Sequence, residues 1–399
     1  AGLERSGIPA LNLSMVLLAL KCSGTKRYSH SNDLEDDGIA LWTGLSKLPD
    51  QSVLHRFAQE FTPKMVDGLF LYMGRALKQL YHLNGSRVNV DFHNIPAYGD
   101  TGEKAWVPTR GKTMSCKRAM FVQDQETTMP ILATTNFKGM KPSQAVLLAA
   151  DVCEEIFGRS HLVMDSRVTT YAVLNDLDKR GFGFTTLRRR SQKMIERIES
   201  LPEESFDIVE MDNRRRAYRR VRVLDEKTGL KDYDGEVRQI AITDHGREKP
   251  TFLVTNDFES TVKEIITIYT WRWRVENNIS ENVDFFALDK LPSYLSIKVD
   301  VDLFFTLLGD NLYKMLAWEV EGHTRNKPET IFRKFIRKRA DIRVEEDEIV
   351  VRFQNFKEQG HVRGLYESIK EHLEKRGIKT RYSWLGNKSV KYEFVEKEH

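Results

Sequence analysis

Tyr269, Arg272 and Glu276 place a phenol, a guanidinium and a carboxylate close together in the run Ile268-Tyr269-Thr270-Trp271-Arg272-Trp273-Arg274-Val275-Glu276. Read as helix, Tyr269 and Glu276 lie about 20° apart around the axis, with Arg272 about 60° off that line. Arginine forks onto phosphate oxygens, and a carboxylate can hold a divalent cation. Together they suit the handling of a phosphodiester. Trp273 adds a ring able to stack on an unpaired base, and Arg274 adds a second cation. The line Ile268, Trp271, Val275, Ile279 is offset by one residue and apolar, so it is expected to face a core.

Two further carboxylates stand out by position. Val88 and Val90 alternate with polar residues into Asp91, and His161-Leu162-Val163-Met164 runs into Asp165. Each reads as a strand that ends at an acid. In open α/β sheets, strand ends are where side chains converge on ligands. Three convergent carboxylates, Asp91, Asp165 and Glu276, suit Mg²⁺ or Mn²⁺. A pair of such ions about 4 Å apart can clamp the attacking and leaving oxygens of a phosphodiester displacement. The chain carries 58 acidic residues, and each of these three has a plainer reading. An Asp after a strand commonly forms a turn or caps a helix. Glu276 is also an i,i+4 partner for Arg272, and Tyr269 and Trp273 are equally packing residues.

Elements must hold these groups in place. Residues 1–85 read as helical, with turn or cap signals at Ser31-Asn32-Asp33 and from Ser46 to Gln51. "LPDQSVLHRF" has the form of the second half of a helix-turn-helix. The strand into Asp91 opens into a loop at Asn94, Pro96 and Gly99. Strands follow at 117–124 and 128–135, a helix at 142–157, the strand into Asp165, a helix at 170–180 stopped by Gly181, and a strand at 182–187. Residues 188–255 hold four strand-like runs (208–211, 216–224, 236–243 and 251–254) and two turn signals, Thr228-Gly229 and Asp234-Gly235. Thr261-Val262-Lys263-Glu264 is a capping box opening the helix that carries Tyr269 and Glu276. A mostly apolar helix is expected at 299–320. The tail mixes a basic helix, a strand at 348–353 and a last helix at 364–376. The class is α/β.

With 399 residues, 40% of them hydrophobic, the chain can bury a substantial core in two or three units. The net charge of +4 is a weak pointer to nucleic acid, but it is unevenly spread. Arg188-Arg189-Arg190, Arg214 to Arg222 and Arg325 to Arg339 are basic clusters of the kind that track phosphates, or else solvated surface. The three cysteines, Cys22, Cys116 and Cys153, have no metal or disulfide spacing, which fits a reducing interior. The apolar run Leu11–Leu20 is too short for a bilayer and lacks a basic leader. It reads as a core helix, and no membrane association is expected. The chain starts at Ala1 rather than Met, so an upstream piece is expected.

"YTWRWRVE" resembles the Tyr-x2-Arg-x3-Glu signature of prokaryotic insertion-sequence DDE transposases, in the subgroup named for Tyr–Arg–Glu–Lys. "VNVDFHNIPAYG" resembles that family's first-Asp strand, and "HLVMDSRVTTYAVLNDLDKRGFGFTTLRRR" its second-Asp region. "PTFLVTND" fits the segment before the Glu helix. The resemblance spans roughly residues 85–320. It implies an RNase H-like mixed sheet flanked by helices, with a β-rich insertion and a helical N-terminal domain. The corresponding division is 1–85 (helical, possible DNA binding), 86–187 and 259–322 (catalytic core), 188–258 (insertion) and 323–399 (C-terminal α+β region). It implies two Mg²⁺ or Mn²⁺ ions on Asp91, Asp165 and Glu276, and phosphate contacts from Tyr269 and Arg272; Trp273 and Arg274, beside them in the same run, are expected as further DNA contacts. It implies hydrolysis at transposon ends followed by attack of the freed 3′-hydroxyl on target DNA. The partners would be double-stranded DNA (terminal inverted repeats and target), with a homodimer in a paired-end complex, in the cytoplasm and at the nucleoid. The family's Lys is expected seven residues after the Glu, but Val283 stands there, and the next Lys is Lys290. Two other readings stay open: a transposase-derived DNA-binding protein without nuclease activity, and a stand-alone RNase H-like nuclease.

Overall fold

The computed structural model describes residues 7–33, 37–98, 103–212, 219–354 and 356–395. Gly99, residues 214–218 of the second basic cluster, and Ala1 lie outside the described residues.

Four helices come first: α1 (Ala10–Cys22), α2 (Asp37–Trp42), α3 (Gln51–Gln59) and α4 (Pro63–Tyr81). The Asp50 side chain accepts from the Ser52 amide at 2.7 Å to start α3, and Thr62 caps α4 with Pro63 in its first turn. Then come β1 (Arg87–Pro96), β2 (Glu103–Val107), β3 (Lys112–Asp124) and β4 (Pro130–Thr134). They are followed by α5 (Val146–Phe157), β5 (His161–Met164), α6 (Tyr171–Lys179), β6 (Gly183–Leu187) and α7 (Gln192–Glu199). Gly181 ends α6 with φ +75°, and the backbone closes through Phe182 N–H to the Leu177 carbonyl at 2.9 Å. The β-rich segment gives β7 (Asp207–Glu210), β8 (Arg220–Gly229), β9 (Glu236–Thr243) and β10 (Thr251–Thr255). Of its two turn signals, Asp234-Gly235 lies between strands, whereas Thr228-Gly229 is the end of β8. After these come α8 (Val262–Trp271), α9 (Trp273–Asp284), α10 (Ser296–Glu319) and α11 (Pro328–Ile331). The tail adds β11 (Ala340–Val344), β12 (Glu348–Gln354), α12 (Gln359–Lys375) and β13 (Ser389–Val395).

Ten strands form one mixed sheet in the order β2-β3-β1-β5-β6-β10-β9-β8-β7, with β4 also on β3. β1, β3 and β4 are antiparallel, whereas β1, β5 and β6 are parallel. This is the arrangement of an RNase H-like core, flanked by helices. The β-rich segment is no separate body. β10 pairs antiparallel with β6, and β9, β8 and β7 extend the sheet outward. A second sheet of three strands, β11-β12-β13, forms in the tail.

One apolar cluster joins Leu13, Phe57 and Phe70 of the N-terminal helices to Val88, Leu162 and Phe184 of the sheet and to Phe304 of α10. The Phe70 and Phe304 rings meet edge to face at 5.3 Å. Gly74 on α4 faces Ile156 on α5 so closely that a Cβ would lie 2.3 Å from its Cδ1. α10 is buried along most of its length, as its apolar composition predicts, and its acids have partners. Asp302 pairs with Lys21 at 2.8 Å, Asp310 with Lys314 at 2.9 Å, and Asp300 accepts from the Thr135 amide and hydroxyl. Unpaired, each would cost several kcal/mol on the order of a buried charge. No helix among the described residues is long and apolar enough to cross a membrane.

Candidate active site

Register brings the two aspartates together. β1 and β5 run parallel with Val90 opposite Met164. Asp91 is the next residue on one strand, and Asp165 follows the last residue of the other. Asp165 leaves the sheet at the carboxyl end of β5, whereas Asp91, expected to end its strand, lies within β1, which continues to Pro96 against β3; the two meet where the β1–β5 pairing ends. The Phe92 amide donates to Asp91 Oδ1 at 2.8 Å, and the Ser166 hydroxyl donates to Asp165 at 3.2 Å.

The third acid comes from a broken helix. The capping box forms as expected: Thr261 accepts from the Glu264 amide, and Glu264 accepts from the Thr261 amide at 2.7 Å. The sequence reads as one helix through Glu276, but the structure divides it at Arg272, which ends α8 and precedes α9. Tyr269 therefore lies on α8 and Glu276 on α9. Buried amides from the sheet hold the carbonyls at this break. Asn89 Nδ2 donates to the Trp271 carbonyl at 3.3 Å, and Gln125 Nε2 donates to the Ile268 carbonyl at 3.0 Å and to Asn89 Oδ1 at 2.7 Å. Asn89 lies two residues before Asp91, on the same face of β1. Sequence reasoning missed Asn89 and Gln125. For Asn89 the one signal is an amide inside an otherwise apolar strand run, as in "VNVD"; Gln125, just past β3 in the polar run 123–126, carries none.

Arg272 sits among the acids. Its Nη1 lies 2.6 Å from Glu276 Oε1 and 3.6 Å from Asp91 Oδ2, and its guanidinium covers the Tyr269 ring at 5.5 Å. Its Nε is buried with no hydrogen-bond partner among the described residues. Burial works against its charge, but Tyr269, Glu276 and Asp91 together push its pKa up. Asp91 is raised to about 6, first by burial and further by Glu276 and Asp165, with Arg272 and the Phe92 amide pulling the other way. Tyr269 is pushed up to about 12, again first by burial, with Asp165 and Glu276 adding to it. Asp91, Asp165, Tyr269, Arg272 and Glu276 thus form one electrostatic cluster. The adjacent pair His93 Nε2 and Asp289 Oδ1, at 2.9 Å, ties β1 to the segment after α9.

Trp273 and Arg274 stand outside this cluster. Trp273 is 62% exposed. Arg274 donates to the Gln125 carbonyl at 2.8 Å and lies over the Trp271 ring at 3.9 Å. Trp271 itself departs from the expected core line: at 37% exposure it forms the surface on which Arg274 stacks. Ile268, Val275 and Ile279 of that line are buried as expected. Val283, at the position of the expected Lys, packs against the main apolar cluster.

By residue type alone, the three carboxylates suit a hard divalent cation; their present geometry does not. Among the described residues, no three His, Cys, Asp or Glu side chains stand at metal-holding distances, and the group placed between Asp91 and Glu276 is the Arg272 guanidinium. A family model described as "Transposase DDE domain" matches residues 84–311, more than half of the chain, and includes all five residues of the cluster. No curated protein matches the chain.

Proposed function

The chain belongs to the transposase DDE domain family, and from that premise we propose that it is a prokaryotic insertion-sequence transposase of the Tyr–Arg–Glu–Lys subgroup. It would cleave DNA at the element's ends and join the freed 3′-hydroxyl to target DNA. The observation that carries this reading is the parallel register of Val90 and Met164, which sets Asp91 beside Asp165, with Arg272 bridging Asp91 and Glu276.

In this reading Asp91, Asp165 and Glu276 are the catalytic acids and hold two Mg²⁺ or Mn²⁺ ions. When bound, the ions would polarise the phosphoryl oxygens and favour the deprotonated nucleophile. The chain's own residues do the rest. Arg272, with its free Nε, grips a phosphate oxygen near the scissile bond once it leaves Glu276. The Tyr269 hydroxyl donates to the same strand and keeps its proton, since its pKa lies far above neutrality. Exposed Trp273 offers a stacking face beside the site. Arg274 acts through Gln125 and Trp271 to fix the helix break. The partners are double-stranded end and target DNA, engaged by a homodimer in the cytoplasm and at the nucleoid. The functional division follows: a helical region 1–85, a catalytic core of 86–187 and 259–322, the insertion 188–258 and the C-terminal region 323–399.

The test is strand cleavage of a labelled inverted-repeat duplex with Mg²⁺, comparing the wild type with Asp91→Asn. Metal-dependent nicking at the repeat end that the substitution abolishes is expected. Equal cleavage by both proteins would remove Asp91 from the site. Cleavage without preference for the repeat end would make the protein a nuclease rather than a transposase.

A further inference from the structure

Beside Asp165 lies a cleft of about 750 Å³ whose lining is strongly one-signed: of eleven lining residues, five are arginines and Asp165 is the only acid. Three segments build it. The turn after β5 gives Asp165 and Arg167, the chain leaving β6 gives Arg188, Arg189 and Arg190, and the β9–β10 connection gives Arg247.

The arginine run is held in place. The Arg188 amide donates to the Phe252 carbonyl at 2.8 Å, and Arg190 Nη1 donates to the Pro250 carbonyl at 3.2 Å. Arg188 is half-buried and turned inward, with Nη1 on Thr228 and Gln239 of β8 and β9. Arg167, Arg189, Arg190 and Arg247 are exposed. None of the five forms an ion pair among the described residues, although most other partly exposed arginines of this sheet do, such as Arg222 with Asp244 and Arg238 with Asp225. His245, bonded to Thr251 at 2.8 Å, has its pKa lowered by burial and then by Arg247 and Arg190, so the positive field reaches the cleft wall. Uncompensated arginines gathered in a concave wall attract a polyanion. Their forked donors match phosphate oxygens.

We propose that this cleft is a sequence-independent track for the phosphodiester backbone of DNA, entering the acid cluster from the Asp165 side. It shares Asp165 with the acid cluster, so a strand gripped there and by Arg272 would pass the carboxylates. This rests on the transposase reading, because only that reading makes DNA the ligand.

The test measures binding of the full chain to fluorescent DNA by anisotropy in EDTA, so that no cleavage occurs, across a salt series. The probes are a repeat-end duplex, an unrelated duplex and a single strand of equal length. In Arg189→Ala/Arg190→Ala/Arg247→Ala, the slope of log affinity against log salt should flatten by about 2–3 for duplex, since each lost phosphate contact removes about 0.9. Repeat-end and unrelated duplexes should weaken equally, at least ~10-fold at low salt, because phosphate contacts carry no sequence. The corresponding triple Lys variant should keep the slope. A single-strand loss larger than the duplex loss would identify the track as one for unpaired DNA. Wild-type binding with an unchanged slope in the Ala variant overturns the track alone, and so does a Lys variant that behaves like the Ala variant. Failure of the wild type to bind any DNA overturns the transposase reading and the track with it.

Discussion

Arg272 donates to Glu276 at 2.6 Å across the junction of α8 and α9, so two residues of one motif neutralise each other. The same guanidinium stands 3.6 Å from Asp91. The cluster therefore carries its own counter-ion, which must yield when a phosphate or cation arrives.

Removing that counter-ion should loosen the site. Arg272→Ala is expected to lower stability by about 1–2 kcal/mol in EDTA, a charge-assisted hydrogen bond discounted for the partial exposure of Glu276. Its thermal midpoint should then rise more on adding Mg²⁺ than that of the wild type, because cation and arginine compete for the same carboxylates. DNA affinity should fall, with a shallower salt slope. Equal Mg²⁺ shifts in both proteins would rule out the competition.

Asp91 gives stability a pH dependence whose sign can be worked out. Its folded pKa of about 6 lies above the unfolded value of about 3.9. Below about pH 4 both states hold the proton. As pH rises toward 6 the unfolded chain releases it while the folded chain keeps it, so stability falls, by up to about 1.4 kcal/mol per pH unit for one group. Above 6 the loss is complete. Asp300, also raised to about 6 mainly by burial, adds to the same window. Urea unfolding at pH 4.5 and 7.5 should show Asp91→Asn more stable than the wild type at pH 7.5, by about 1–3 kcal/mol, with the gap closing at pH 4.5. A variant less stable at both values would contradict the assignment. A gain in stability with loss of cleavage is the expected mark of a site built of crowded charge.

The amides under the helix break should matter for geometry more than for DNA grip. Asn89→Ala removes the donor to the Trp271 carbonyl and the acceptor for Gln125. About 2–3 kcal/mol should be lost, since the groups left behind are buried. Cleavage should drop well beyond DNA affinity as Glu276 loses its register with Asp91. A parallel fall in both would show that Asn89 supports only folding.

The helix start is a simpler case. Thr261→Ala breaks the capping box and should cost about 1 kcal/mol with no change in metal dependence. Chemical denaturation of the two proteins is a sufficient check.

Val283→Lys asks whether the missing family lysine can be restored. Val283 faces the apolar cluster, so a lysine there must either bury its ammonium or bend back to solvent. The expected result is a loss of about 1–3 kcal/mol and no gain in affinity for end DNA. Tighter binding would mean that α9 can turn this face outward.

The strand that stops before Asp165 was legible because a short apolar run halts abruptly at an acid; β1 was expected to stop at Asp91 too, but it continues to Pro96, since pairing with β3 holds the mostly polar stretch from Asp91 to Asn94 in the sheet after pairing with β5 ends at Val90. The capping box at Thr261 was equally local. The break at Arg272 was not, since the helical pattern runs unbroken through Trp271 and Trp273. Tertiary hydrogen bonds from Asn89 and Gln125 fix the break. Trp271 misled for a related reason: its place on the apolar line was read without the Arg274 guanidinium that covers it. β2 and β13 were invisible to periodicity, because β2 is short and mostly exposed and β13 depends on parallel pairing with distant β12. The attachment of β10 to β6, which turns the β-rich segment into an extension of the sheet, is likewise a long-range fact.

Phe70 against Phe304, and Gly74 against Ile156, have a practical corollary for dissecting the chain. The first helices supply one wall of the compartment whose other walls are the sheet and α10. A fragment starting at residue 86 would present that wall's footprint, including Val88, Ile156 and Phe304, to water. It should therefore be recovered aggregated or molten, and mapping by truncation would mistake a loss of folding for a loss of DNA recognition. Point substitutions on the solvent-facing sides of α3 and α4 are the cleaner route to what that region contributes.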